Sequence, residues 1–474
     1  MKNVLLFLLV ISLFSCTQSK PEKEELPLIK VDVKTRYVKD GQRLYKDWVP
    51  MDTRTMQHLP NFKPKKKQKL SKYGGNKIQQ AEATGFYRTE KINGRWWIVD
   101  PDGYLFIHKA INSLNRGKSK RNLKAYEEKF DSPVDWMTKT TQLIKENGFN
   151  GAGSWSDAEL IIEMQKDGEN ELAYTINLNW MSGYGKVRGG TYAVPGHTGY
   201  PNNCIFVFDK EFKTYCEEQA KELVQYKDDP NLLGYFSDNE MPFKMSNLEG
   251  YLSNEDNTDQ GYLAAKSWLA EKEIRDNDIT DEVRNEFLAY VGETYFSIVN
   301  GSIKKYDPNH LYLGPRFYSS EKNNELFMRT AGKYIDIICN NYYGRWTPRE
   351  EELNNWAEWT GKPFMITEWY TKGEDSGLPN ISGAGWIVRT QKDRGLFYQN
   401  YTLKLLESKS CVGWHWFKYQ DNDPEMENAE LSNIDANKGI VDNDYNEYLP
   451  LLNLMKEVNL QVYKLIEYFD NKNQ

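Results

Sequence analysis

The sequence predicts an α/β chain folded as a (β/α)8 barrel of the TIM type, with a short N-terminal extension and a β-meander before it. Three observations predict this. Eight short apolar runs of strand character alternate with longer helical patterns, which is the ordering of a closed parallel barrel rather than an open sheet. The chain has 474 residues, enough for one large barrel and a smaller appendage. Two of the runs end in glutamate: 232–236 leads into Ser237, Asp238, Asn239 and Glu240, and 363–368 closes on Glu368. The C-terminal strand ends of such a barrel carry its chemistry.

In chain order, residues 1–16 read as an export signal. Lys2 is followed by an apolar run from Val4 to Phe14 and then Ser15-Cys16. The run is too short to span a bilayer as a stable helix. A small residue before Cys resembles a bacterial lipobox, so Cys16 is the expected lipidation site. The expected location is a bacterial membrane, periplasmic or at the cell surface, held only by that anchor. Residues 17–84 are polar and lysine-rich and read as a tether and an extended arm. The basic run 63–69 reads as a solvated linker. The remaining residues, 85–474, are assigned to the meander and the catalytic barrel.

The meander begins at Gly85. Residues 86–92 alternate, Asn93-Gly94 is a type I′ hairpin signal, and 95–99 returns. Pro101-Asp102-Gly103 turns the chain again, and 104–111 is the first barrel strand. A helix starts at Ser132-Pro133, with Ser as N-cap and Pro in the first turn, and stops at Gly148. The other strands fall at 149–155, 173–180, 232–236, 311–317, 335–342, 363–368 and 412–417. Helical patterns fill the gaps at about 157–167, 210–227, 260–274, 280–305, 321–332, 349–360, 384–409 and 446–468. There is no internal repeat.

Composition excludes several function classes. A formal charge of −7 argues against a nucleic-acid partner. The five His are scattered and no Cys or His spacing matches a zinc site, so no metal and no cofactor is expected. There is no Gly-x-Ser-x-Gly elbow. The glycines at 148, 151 and 153 lie within a strand, and Gly-x-Gly alone is weak. Cys204 and Cys216 are close enough in sequence to pair, while Cys339 and Cys411 read as buried thiols. Aromatics make up 14% of the chain, an excess that suits stacking on sugar faces as well as filling a core.

At the predicted rim two carboxylates meet several amides and aromatics. Glycoside cleavage needs one carboxyl to protonate the leaving oxygen and another at the anomeric carbon. Glu240 after the fourth strand is the expected acid/base and Glu368 after the seventh the expected nucleophile. The charge on Glu368 should raise the Glu240 carboxyl and keep it protonated. Substrate contacts are expected from Asn239 at the sugar 2-hydroxyl, from Trp416 beneath the cleaved sugar, and from Trp155, Asn179, Arg316, His108 and His415. Tyr342 is expected to donate to Glu368. The long loops 181–203 and 244–259 are positioned to wall a cleft.

These residues resemble clan A glycoside hydrolases and, more narrowly, family 50 β-agarases. The strings that carry the resemblance include Leu233-Gly-Tyr-Phe-Ser-Asp-Asn-Glu240, Asp307-Pro-Asn-His-Leu-Tyr-Leu-Gly314, Ile366-Thr-Glu-Trp369, His415-Trp-Phe-Lys-Tyr-Gln420 and Asn437-Lys-Gly-Ile-Val441, within about 85–445. The resemblance implies retaining hydrolysis of β-1,4-galactosidic bonds in agarose-type red-algal galactans or their oligosaccharides, with Glu240 and Glu368 in the roles given above. The family often carries a large N-terminal β-sandwich, and this chain has only about sixty residues there. The alternatives are a β-galactosidase, a porphyran- or carrageenan-active hydrolase, or a carbohydrate-binding lipoprotein without catalysis. Exo or endo action, sulfate tolerance and oligomeric state are open at this point.

Overall fold

Eight parallel strands form one curled sheet: β1 (His108–Ile111), β2 (Gly151–Ala152), β3 (Ala173–Asn177), β4 (Leu232–Phe236), β5 (Leu311–Tyr312), β6 (Ile338–Asn341), β7 (Phe364–Trp369) and β8 (Cys411–Trp416). The computed structural model describes residues 26–472 apart from 41, 66, 67 and 169. Cys16 and the export signal lie outside the described residues. The sheet order is β5-β4-β3-β2-β1-β8-β7-β6. Its outer strands meet through Phe317, whose N–H donates to Cys339 O at 2.9 Å and whose carbonyl accepts from Asn341 N at 2.7 Å. The result is a TIM-like mixed α/β architecture.

The strands are shorter than the apolar runs that predict them. The run 104–111 serves two sheets. Tyr104–Phe106 pairs antiparallel with Arg95–Val99, whereas His108–Ile111 pairs parallel with β8 and β2. A continuous apolar run carries no mark of where a strand leaves one sheet for another, so the sequence shows one strand where there are two. Likewise 173–180 is a strand only to Asn177, and Trp180 opens a helix, Trp180–Arg188. The pattern at 384–409 holds a short strand, Trp386–Val388, and then the helix Gln391–Glu407.

The antiparallel strands Asn76–Gln80, Arg88–Ile92, Arg95–Val99 and Tyr104–Phe106 form a separate sheet. Ile98 and Phe106 from it pack in one cluster with Leu233, Leu311, Met365 and Val412, inward residues near the N-terminal ends of the barrel strands. This sheet therefore closes the N-terminal mouth of the barrel. Each such fully buried side chain is worth about 1.5–3 kcal/mol. The arm holds more structure than its composition suggests. Ile29–Lys34 and Val49–Thr53 pair with each other, and the first also pairs with Trp386–Val388 in a four-stranded sheet.

Candidate active site

The C-terminal strand ends open onto a cleft of about 760 Å³, lined among others by Trp155, His197, Glu240, Tyr343, Glu368 and Phe417. Local backbone makes this rim. Beyond β4, Ser237 N donates to Gly314 O and Glu240 N to Pro315 O, which ties the turn to the strand-five loop. Asp238 beneath it accepts from Met181 N, Ser182 N and the Tyr295 hydroxyl, anchoring the helix Trp180–Arg188. Glu240, Trp155 and Arg316 all sit at positive φ, 51°, 65° and 55°. For residues with a Cβ this conformation is uncommon and costs free energy, and its concentration at strand ends marks a site whose geometry is imposed by its surroundings.

The two glutamates meet on one amide. Asn341 Nδ2 donates to Glu240 Oε1 at 2.8 Å and to Glu368 Oε2 at 2.9 Å. The closest oxygens of the two carboxyls are thus no farther apart than those two hydrogen bonds laid end to end. Thr367 Oγ1 donates to Asn341 Oδ1 at 3.0 Å, which fixes which end of the amide faces the glutamates. Arg316 donates from Nη2 to Glu368 Oε2 at 2.9 Å and from Nη1 to Asn239 Oδ1 at 2.9 Å. Tyr343 completes the set, its hydroxyl donating to Glu368 Oε1 at 2.8 Å.

The Glu368 carboxyl is raised, pushed up to about 7. Burial is the main cause and the Glu240 charge adds to it, while Arg316, the Tyr343 hydroxyl and Lys438 pull the other way. Two like charges this close disfavour one another, which is why the Glu240 charge adds to the rise at Glu368. Three donors converge on Glu368 and one on Glu240.

Several expectations need correction, and most share one cause. Side chains alternate along a strand, so neighbours cannot both face the cleft. Asn341 faces it, hence Tyr342 points outward, where its hydroxyl bonds Glu352 and its ring meets Trp356 edge-on at 5.1 Å. Tyr343 takes the role expected of Tyr342. On β8, His415 faces the barrel interior, so Trp416 is buried on the outer side against Trp369, with its indole N–H donating to Lys438 O. Phe417, one residue on, lines the cleft instead.

His108 and His415 lie below the cleft, fully buried, with His415 Nε2 2.9 Å from His108 Nδ1. Burial pushes His108 down to about 3 and His415 well below its ordinary value, so both rings are neutral core groups rather than sugar ligands. A Cβ at Gly151 would stand 2.0 Å from His108 Nε2, so this layer requires glycine there. Arg316 is also fully buried, behind the carboxylates, and acts on them rather than on substrate. Asn179 caps the helix Trp180–Arg188 in a left-handed conformation and is not among the cleft residues. Asn239 and Trp155 do line the cleft, and Trp155 is 37% exposed.

Sequence reasoning gave no role to Asn341, Tyr343, Phe417 or His197, although Asn341 falls at the predicted rim and His197 on a loop expected to wall the cleft. The first three follow from strict alternation once one inward residue per strand is known. His197 lies on a hairpin, Tyr192–Val194 with His197–Gly199, which no spacing rule aims at Glu240. Cys204 and Cys216 are free and buried, as are Cys339 and Cys411. Among the described residues no cluster of His, Cys, Asp or Glu is arranged to hold a metal ion.

No family model matches the chain. The chain is 26% identical over 478 residues to Beta-agarase B of Vibrio sp. (strain JT0107), covering 81% of this chain and 49% of that protein. It is 25% identical over 380 residues to Beta-agarase A of the same strain, covering 69% and 36%. It thus spans about half or less of the length of the curated relatives it matches. The crystal structure of BpGH50 superposes with a TM-score of 0.82 at 32% identity, over 96% of this chain and 98% of that one. Agreement at that identity, over nearly the whole of both chains, places this chain in glycoside hydrolase family 50.

Proposed function

We propose that the chain is a retaining glycoside hydrolase that cleaves β-1,4-galactosidic bonds of agarose-type galactans or their oligosaccharides. The substrate class rests on family membership and on the agarases it resembles. The reaction rests on one observation: Asn341 Nδ2 bonded to both glutamates. Retaining enzymes hold their carboxyls roughly 5–5.5 Å apart and inverting ones roughly 6.5–9.5 Å. The shared amide keeps the closest oxygens short of the inverting range, on the retaining side.

In this reading Glu368 attacks the anomeric carbon and Glu240 delivers its proton to the departing glycosidic oxygen. Glu240 then takes a proton from the water that hydrolyses the glycosyl-enzyme. Glu240 Oε1 accepts the Asn341 amide hydrogen, so the transferable proton belongs on Oε2. Arg316, Asn341 and Tyr343 donate to Glu368 and aim it. Asn239, Trp155 and Phe417 face the sugar. The scaffold is a (β/α)8 barrel preceded by a short extension and a β-meander. The leader supports export and a lipid anchor at Cys16; Cys16→Ala should move the protein from the membrane to the soluble fraction.

The test is reducing-end release from agarose and porphyran by the parent protein and by Glu368→Ala. Release from agarose by the parent, lost in the variant, is expected. No release from agarose by the parent overturns the substrate reading, and undiminished release by the variant overturns the nucleophile assignment. Proton NMR of the first product should show the β anomer before mutarotation; the α anomer overturns retention.

A further inference from the structure

The hairpin carrying His197 is pinned on both sides of the cleft. At its tip Gly196 N donates to Glu430 Oε1 at 2.7 Å, and Gly196 O accepts from Asn239 Nδ2 at 3.1 Å. Gly196 has φ 95°, and a Cβ there would lie 3.7 Å from both Glu240 Oε2 and Ser432 Oγ. The tip is thus held between the turn after β4 and the segment after β8. The next residue, His197, places Nδ1 3.5 Å from Glu240 Oε2. Its ring leans on Tyr318, with centroids 5.1 Å apart. That Nδ1 is buried and makes no hydrogen bond.

We propose that His197 is a positioning residue for the proton donor, an inference that rests on the reading of Glu240 as acid/base. Asn341 already occupies Oε1, so His197 faces the oxygen that carries the transferable proton. A separation of 3.5 Å is too long for a good hydrogen bond to a protonated carboxyl. It shortens as the proton passes from Glu240 Oε2 to the departing glycosidic oxygen. The imidazole then donates Nδ1–H to the carboxylate left behind and keeps its own proton. The stabilisation is made as charge develops and is absent beforehand, the condition for accelerating the step. The titratable groups packed around His197 are Glu240 beyond β4, Tyr318 beyond β5 and Glu430 after β8, with Lys322 behind Glu240.

The experiment compares the parent, His197→Ala and His197→Asn on two substrates. One is an agaro-oligosaccharide, whose departing sugar needs a proton. The other is a dinitrophenyl glycoside of the same glycone, whose leaving group needs none. On the oligosaccharide His197→Ala should lose about tenfold in kcat with little change in KM, and its acid-dependent pH limb should move. On the dinitrophenyl glycoside its kcat/KM, which reports only the steps up to the glycosyl-enzyme, should match the parent. His197→Asn, which keeps an N–H near Nδ1, should recover most of the loss, and the melting temperatures should agree. Equal losses on both substrates, or no loss on either, overturn the proposal. Inactivity of the parent on both substrates overturns the function reading instead, and with it the Glu240 role on which this inference rests.

Discussion

The Thr367 hydroxyl donates to the Asn341 side-chain carbonyl at 3.0 Å, and through it the orientation of the whole carboxylate pair is set. An amide has a donor end and an acceptor end, and only the donor end suits two glutamates. Thr367→Val removes the bond that holds the acceptor end away from them. It should lower kcat by about tenfold with KM little changed, while Thr367→Ser should retain most activity; steady-state kinetics on agaro-oligosaccharides decides this.

Tyr343→Phe and Tyr342→Phe should separate cleanly. The first removes a donor from Glu368 and should cost about ten- to a hundredfold in kcat. The second removes a hydroxyl that donates to Glu352 and accepts from Arg349 N, away from the glutamates, so it should lower the melting temperature and leave kcat near the parent value.

Phe417→Ala should raise KM, since its ring lines the cleft. Trp416→Ala empties a site packed against Trp369 and Tyr398 and should cost about 3–5 kcal/mol of stability. Denaturant unfolding of both variants beside their kinetics checks the assignment.

The raised Glu368 carboxyl carries a pH signature. Its proton is held more tightly in the folded chain, up to about 7, than at the ordinary value of 4.5. The folded state therefore binds more protons between those values, and stability from this group is present below 4.5 and lost as pH rises through about 7. The melting temperature should fall across that window in the parent. Glu368→Gln, which cannot ionise, should flatten the fall.

Lys109 carries the opposite sign. It is buried, donates to Asn459 O at 3.1 Å, and burial lowers it to about 7 from 10.5. The folded chain binds fewer protons between those values, so its contribution improves as pH rises from 7 to 10.5. Lys109→Met should stabilise the protein most at neutral pH and least near pH 10, read by thermal unfolding at both.

The barrel was legible because its signals are local: apolar runs, capped helices and two glutamates at strand ends. What the sequence concealed is parity. Glu240 and Glu368 needed only a strand end to be found, but choosing Tyr343 over Tyr342, or Phe417 over Trp416, requires knowing which face each strand presents. β6 and β7 make this harder, because their register shifts between Asn340 and Asn341 and one extra β7 residue is passed over. Arg316 was visible as a strand-end cation, yet nothing in its neighbours says that it turns inward to the carboxylates. His197 was hidden for another reason. A hairpin after β3 reaches Glu240 only through contacts with Asn239 and Glu430, distant from it in sequence.

The split of 104–111 bears on where this protein can be cut. Phe106 belongs to the sheet that closes the barrel mouth and His108 to the first staff of the barrel, with Ile107 alone between them. One residue is no linker. Stopper and vessel share an uninterrupted backbone, so neither can be inherited, exchanged or trimmed as a separate part. A chain begun after the stopper would expose the lower faces of Leu233, Met365 and Val412 to water. Truncations from the N-terminus should therefore cost stability once they remove the paired strands Ile29–Lys34 and Val49–Thr53, and fail abruptly within the stopper.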